Sequence, residues 1–388
     1  MVRFIARALI AQGYEPVLAH YEPYSRSPHL SVPSFRLLLR RAGNELRQTF
    51  DGYETHAIGA WLPEFEFTHH IATEPWKRVM DSCCAYLTVA GNALPSLPYV
   101  QTGRSYLGWI ASGWHSDRKD RVDQFSAGRK LVDYAIISPV ARRLEKSLLR
   151  SGSVLALSNY TRRVLDGVAE ASVVKGVLPM PVDSEFFSPA PDKRLTGRIG
   201  FSGRLGDPRK NLQLLLAALQ HLRQAGHVVS ALLIGGEPDE KLLRCIHGLG
   251  IDDAVEFCGY IPMEALRDKL RTLDVFVVPS HQEGLCISAL EAMACGCPVV
   301  STRCGGPEEF VLNDETGFLV DADPAEMADA ILRILSAPKL KWRLGAGARE
   351  KVMRDYSLAR ASTTFWRVFD EQFSTPGLAS SVAVASSR

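Results

Sequence analysis

From residue 198 onward, short apolar runs alternate with segments whose apolar positions recur every three or four residues. Runs of the first kind read as strands buried on both faces, and segments of the second kind as helices with one face against a core. Strands are predicted at 198–204, 228–235, 255–259, 274–280, 298–301 and 318–320, with helices at 212–224, 239–249, 263–273 and 286–294 between them. This alternation builds a parallel sheet covered on both faces, an α/β half of the doubly wound nucleotide-binding type. The first half is less regular. It offers a helix at 2–12, strands at 16–20, 85–90, 99–102 and 154–157, and a helix at 159–166, enough for a second α/β domain over 1–177. The proline-rich stretch 178–197 then reads as a linker to a domain spanning 198–355. Residues 356–373 hold a final helix in which Phe365, Trp366, Phe369 and Phe373 suit one face packed on a core. The last stretch, 374–388, is small and polar without a periodic face and is expected to be disordered.

Composition narrows the function classes. A chain of 388 residues with 46% hydrophobic content supports two cores. A net charge of +2 gives no basis for nucleic acid as a partner, so any anion site must be local. No apolar run approaches the roughly 20 residues that span a bilayer. The opening residues also lack the regions of a signal peptide, and a cytoplasmic protein is expected. The eight cysteines have neither zinc-ribbon spacing nor the density of a disulfide framework. Cys295 and Cys297 fall in a helix-to-strand turn with no second ligand pair, so no metal is assigned there.

The most informative stretch runs from Pro279 to Val300, where Glu283 and Glu291 bracket a strand-to-helix turn. Spacing alone carries little weight, since chance supplies about five acidic pairs at any one separation in this composition. Position carries more. Glu283 falls in the turn at the carboxyl end of a predicted strand, where open α/β sheets bind ligands. Glu291 lies two helical turns further on, about 12 Å at 1.5 Å per residue, a span that brackets a diphosphate with a sugar on either side. The first amides of that helix, from Gly284 to Ile287, would face the phosphates with the positive end of the helix dipole behind them. A second anion loop follows the strand at 198–204, where Gly203 lets a ligand approach the backbone and Arg204 and Lys210 bring positive charge to one turn. Arg209 reads as solvated surface charge. Asp321 and Asp323 mimic a metal-binding Asp-x-Asp, but Pro324 begins a helix behind them and capping explains Asp323 better.

Taken together, Ser202-Gly203-Arg204 with Lys210, Phe257-Cys258-Gly259-Tyr260, Val278-Pro279-Ser280, Glu283-Gly284 and Glu291 through Gly296 resemble the C-terminal domain of family 4 retaining glycosyltransferases. The resemblance covers residues 198–373 strongly and the earlier half more weakly. It implies the GT-B fold: two Rossmann-like doubly wound domains facing across a cleft. It also implies that Arg204 and Lys210 hold the donor diphosphate, that Glu283 contacts the transferred sugar, and that Glu291 binds the ribose hydroxyls. Amides near Gly284, Leu285 and Cys286 would bind phosphate, and Gly259, Tyr260 and Ile261 would border the nucleobase. The implied chemistry is a retaining hexosyl transfer from a nucleotide sugar to a glycan, lipid-linked or small-molecule acceptor, without metal or cofactor. A competing role for Glu283 as a covalent nucleophile lacks a second carboxylate placed as its acid partner.

Three features depart from the family pattern. Cys286 stands where glycine is common, Ser288 replaces a common aliphatic residue, and the chain opens on a helix where the family has a strand and a glycine-rich loop. The first strand of the N-terminal domain is therefore expected to be missing, leaving a sheet edge open. On the acceptor side, His115 and Asp117 are candidates to orient or deprotonate a hydroxyl, against the alternative of a polar loop bound to itself and water. The basic and apolar segment 35–41 could rest on an anionic membrane, or it could be an ordinary amphipathic helix. The rival functional readings are a noncatalytic nucleotide-sugar-binding or scaffold protein, motivated by the missing strand, and a sugar-nucleotide epimerase.

Overall fold

The computed structural model describes residues 1–36, 42–50, 52–122, 125–190, 196–373 and 381–386. The chain divides into two compact units, Met1–Leu178 with Ser362–Arg388, and Pro179–Ala361.

The strands of the first unit that precede the second are β1 (Glu15–Tyr21), β2 (Asn44–Phe50), β3 (Tyr53–Ile58), β4 (Ala85–Ala90), β5 (Leu107–Ile110), β6 (Ser153–Ala156) and β7 (Val174–Val177). Those of the second unit are β8 (Arg198–Ser202), β9 (Ser230–Ile234), β10 (Val255–Phe257), β11 (Val275–Val278), β12 (Val299–Thr302) and β13 (Gly317–Val320), and a last strand, β14 (Ser381–Ser386), follows.

In the second unit every pairing is parallel, in the order β10-β9-β8-β11-β12-β13. Ile199, Phe201, Val275 and Val277 face a core shared with the helices Leu212–Gln224 and Pro324–Leu335. Phe276 and Val278, which point the other way in the pleat, are equally buried. Burial on both faces explains why these strands read as unbroken apolar runs. The sequence leaves β8 toward β9 and leaves β11 toward β12, so the order reverses between these two neighbours and opens a crevice at their carboxyl ends.

The sheet of the first unit runs β2-β3-β1-β14-β4-β5-β6-β7, parallel except for the β2–β3 hairpin. Its central strand is β14, the last element of the chain. The tail expected to be disordered thus supplies, over Ser381–Ser386, a strand paired on both sides, with Glu15 to His20 of β1 opposite Ser381 to Ser386 and with Ala85 to Val89 of β4 opposite Val382 to Ser386. Val382, Ala383, Val384 and Ala385 are all buried. The expectation failed because six small residues carry no amphipathic period, and their partners lie 297 positions away in β4 and 366 in β1. The position expected to stand open is filled, and β1 is an inner strand. The helix Leu358–Phe373 brings the chain back to this unit: Trp366 and Phe369 place their rings 6.0 and 5.6 Å from Tyr14, and Ser153 Oγ donates to Gln372 Oε1 at 2.6 Å.

Two further expectations need correction. Residues 99–102 are no strand, because Pro98 sits in the first turn of the helix Leu97–Gln101 and Thr102 Oγ1 closes it by donating to the Pro98 carbonyl at 2.8 Å. The strand is β5, a four-residue buried run interrupted by Gly108. The segment weighed as a polar loop is the helix Trp114–Val122. Most of the basic segment 35–41 lies outside the described residues. No helix among the described residues is long and apolar enough to cross a membrane.

Candidate donor site

The loops leaving β8 and β11 carry the polar groups of the crevice. After β8, Gly203 donates its amide to the Ile234 carbonyl at 2.9 Å, and the chain passes so close to β9 that a Cβ on Gly235 would lie 2.0 Å from the Gly203 oxygen. Only glycine fits there. Asp207 then caps a short turn, its Oδ1 accepting the Arg209 amide at 3.1 Å, while its carboxylate takes the Arg209 guanidinium through Nε at 3.2 Å and Nη2 at 2.9 Å. Burial alone would raise the Asp207 pKa, but these bonds hold it below its ordinary value. Arg209 is therefore no solvated surface charge: its side chain is only 16% exposed, and its carbonyl accepts the His281 amide at 2.8 Å, tying the β8 loop to the β11 loop. Arg204 pairs with Asp207 at 2.8 Å and is 66% exposed, which leaves it able to swing.

Turned inward by this brace, Lys210 donates from Nζ to Glu283 Oε1 at 2.6 Å. Ser280 Oγ donates to the same oxygen at 2.7 Å. Burial works to lower the Lys210 pKa, but the facing Glu283 charge prevails and holds it above its usual value. Glu283 is fixed by its backbone as well, its amide donating to Cys304 at 2.7 Å and its carbonyl accepting from Gly306 at 2.9 Å. Thr302 Oγ1 holds the turn from β12 by donating to the Ser280 carbonyl at 2.5 Å. A Cβ on Gly306 would meet Leu285 Cα at 2.5 Å, so this turn also closes only around glycine.

Cys286 caps the helix Ile287–Ala294 at φ +71°, in the left-handed region that explains the family's preference for glycine. Burial pushes its thiol pKa up, which makes it a poor nucleophile at neutral pH. In the first turn of this helix the Ala289 amide already donates to the Cys286 carbonyl at 3.2 Å, and the amides before it stand at the helix's positive end, which suits an anion at the crevice. Glu291, one turn further in, has no side-chain hydrogen bond among the described residues, and burial pushes its carboxyl up to about 7. A nearly buried carboxyl with open acceptor sites suits hydroxyl donors from a ligand. On the other flank, Gly259 follows β10 at φ +64°, and Tyr260, 82% exposed, lies over β9's exit: a Cβ on Gly236 would come within 3.3 Å of its ring. Ile261 is half-buried beside it.

Every candidate of the second unit therefore follows the carboxyl end of β8, β10 or β11 in one sheet. Sequence reasoning missed Asp207, Arg209 and Ser280, although Asp-Pro-Arg is a capping pattern and Ser280 stands three residues before Glu283. Asp323 accepts the Ala325 and Glu326 amides at 2.9 Å each, and Asp321 pairs with Arg303 at 3.3 Å, which is capping rather than a metal pair. In the first unit, His115 is exposed in the opening turn of the helix that follows β5 and borders a cavity of about 210 Å³ with Arg118 and Asp133. The side chain of Asp117 lies outside the described residues.

The loops leaving β8, β10 and β11 thus gather these groups at the reversal point of a doubly wound sheet. Residues 196–337 match the family described as Glycosyl transferases group 1. A GDP-mannose-dependent alpha-(1-6)-phosphatidylinositol monomannoside mannosyltransferase of Mycolicibacterium smegmatis is 34% identical over 232 residues, 54% of this chain and 60% of that protein. A D-inositol 3-phosphate glycosyltransferase of Corynebacterium jeikeium is 30% identical over 265 residues, 62% of this chain and 61% of that one. Among solved structures, a sucrose-phosphate synthase from Thermosynechococcus elongatus superposes with a TM-score of 0.74 at 22% identity, over 96% of this chain and 92% of that one, which establishes the GT-B fold. The chain spans 42–61% of the length of the curated relatives it matches.

Proposed function

We propose that the protein is a retaining, metal-independent glycosyltransferase that moves a hexose from a nucleotide sugar to an acceptor hydroxyl. The observation that carries this reading is the Lys210–Glu283–Ser280 group set between β8 and β11 at the sheet's reversal point. In this reading the donor diphosphate draws Lys210 and Arg204 onto itself, and the first amides of the helix Ile287–Ala294 complete the cradle. Glu283, released from Lys210, turns its carboxylate to the sugar hydroxyls, and Glu291 accepts from the ribose. As the bond from the anomeric carbon to phosphate breaks, its electron pair passes to the phosphate oxygen, where Lys210 and Arg204 balance the charge. The acceptor oxygen bonds to the anomeric carbon on the face the phosphate leaves, and its proton passes to that phosphate. Positive side chains here do what a divalent cation does elsewhere, which supports metal independence. Acceptor-side roles for His115 and Asp117 remain part of this proposal, as does a cytoplasmic location.

The relatives' names frame the acceptor class: one acts on a phosphatidylinositol monomannoside and another on inositol 3-phosphate. We therefore look first to polyol, glycan or lipid-linked acceptors. The reading is tested by assaying sugar transfer from a panel of nucleotide hexoses, with and without EDTA, in wild type, Lys210→Ala and Glu283→Ala. Wild type should turn over a donor in EDTA and both variants should lose nearly all transfer; undiminished transfer in both variants would contradict it.

A further inference from the structure

Of sixteen large hydrophobic side chains that stand exposed among the described residues, five fall between positions 131 and 140 of the first unit. Leu131 is 68% exposed, Tyr134 82% and Ile136 49%, with Val132 and Val140 beside them. They lie on one helical run made of the helix Ala127–Val132, a π-helical turn at Asp133–Ile137, and the helix Ser138–Ser151. Elsewhere such side chains are mostly scattered singly, which is ordinary for a protein surface.

Charge on this run is sorted as sharply. Its two acids point inward: Asp133, 3% exposed, binds the Arg118 guanidinium and accepts from Ser138 Oγ at 2.9 Å, and Glu145, 1% exposed, accepts the Trp114 amide at 2.8 Å. Among the cations, Lys146 is committed to Glu170 and Arg150 to the Ala169 carbonyl. Arg129, Lys130, Arg142 and Arg143 are exposed, and none forms an ion pair among the described residues. The outward surface is thus apolar and cationic with no exposed acid between residues 125 and 150.

We propose that this run, residues 127–143, is a docking surface for an anionic lipid bilayer. Apolar side chains on an exposed helical run, rimmed by cations outside any ion pair, of which Arg129 lies 5.2 Å over the Phe125 ring, match a headgroup layer into which Leu131, Tyr134 and Ile136 insert while the cations meet lipid phosphates. A second copy of the chain is a poorer occupant, because a self-complementary pairing would set these cations against themselves. The proposal does not depend on the transferase reading, since lipid binding is measured without turnover.

The test is flotation of the full chain with vesicles of phosphatidylcholine alone and of phosphatidylcholine mixed with phosphatidylglycerol. The expected result is binding to the mixed vesicles only, weakened by salt. The pair Leu131→Asp with Ile136→Asp, and separately the set Arg129→Gln, Lys130→Gln, Arg142→Gln and Arg143→Gln, should each lower partitioning by at least about tenfold. Both are surface changes, so the thermal midpoint serves as the folding control. Wild-type protein left unbound by both vesicles, equal binding to neutral lipid, or folded variants that bind like wild type would each overturn the proposal. So would self-association of the lipid-free chain that the apolar variants abolish.

Discussion

Both sheets are mainly parallel and reverse their strand order once, yet they are assembled in opposite ways. In the second unit each strand pairs with one close by in sequence, and the crevice between β8 and β11 forms from loops that follow directly from those strands. In the first unit the corresponding reversal lies between β14 and β4, and β14 arrives only after the chain has built the whole second unit. The sheet framework of the first unit therefore depends on a strand, Ser381–Ser386, far from its partners in sequence. Equal folds can carry very unequal sequence signals, because what matters is the chain distance over which partners must be found.

The largest effect should come from attacking that distant pairing. Deleting residues 374–388 removes a strand bonded on both sides and exposes the inner edges of β1 and β4. Burial of Val382 and Val384 alone contributes about 1.5–3 kcal/mol each. Limited proteolysis should then cut the first unit rapidly, while the second unit keeps a nucleotide-dependent thermal shift. Val384→Asp, which puts a charge in the same place, should act likewise. A truncated chain as protease-resistant as wild type would mean that β14 is dispensable.

Next in size is Lys210→Ala. On the proposed function, loss of the charge that would meet the leaving phosphate should lower transfer by about a hundred- to a thousandfold. Glu283 would also be left nearly buried with Ser280 as its remaining side-chain donor, so thermal stability should fall too. Measuring the melting midpoint beside the rate separates the two consequences.

These contrasts explain what the sequence could disclose. Strands β8, β9, β11 and β12 were legible because burial on both faces writes them as apolar runs. Glu283 and Lys210 were legible because each follows such a strand. The support around them was not: Arg209 looks like any surface arginine until Asp207 is seen gripping it, and Ser280 matters only through its bond to Glu283. β14 was illegible in principle, since its stability lies almost wholly in partners near positions 15–20 and 85–89.

A subtler comparison sets Glu291 against Glu283. The Glu283 side chain has donors, whereas that of Glu291 has none among the described residues and its carboxyl is raised to about 7 by burial. A folded-state pKa above the unfolded value means that the folded state holds the proton longer. Stability from this group is then full below about 4.5 and declines as pH rises toward 7. Glu291→Gln should therefore raise stability at pH 8 by at most about 3 kcal/mol and leave it unchanged near pH 4, as read by thermal unfolding at the two pH values. On the proposed function the same variant should raise donor KM above pH 7, where the wild-type carboxylate would accept from ribose hydroxyls; an unchanged KM would remove Glu291 from the site. The smallest effect belongs to Cys286→Gly. Relief of a left-handed backbone, about 1 kcal/mol, is partly offset by loss of the thiol's packing, for a net gain of a few tenths with transfer intact.

The donor site itself is tested most directly by calorimetric titration of GDP and UDP into wild type, Lys210→Ala and a remote control, Arg333→Ala. At least one nucleoside diphosphate should bind wild type and Arg333→Ala equally and bind Lys210→Ala at least about tenfold more weakly. Equal binding to all three proteins, or none to wild type, would contradict the placement of the donor diphosphate between β8 and β11.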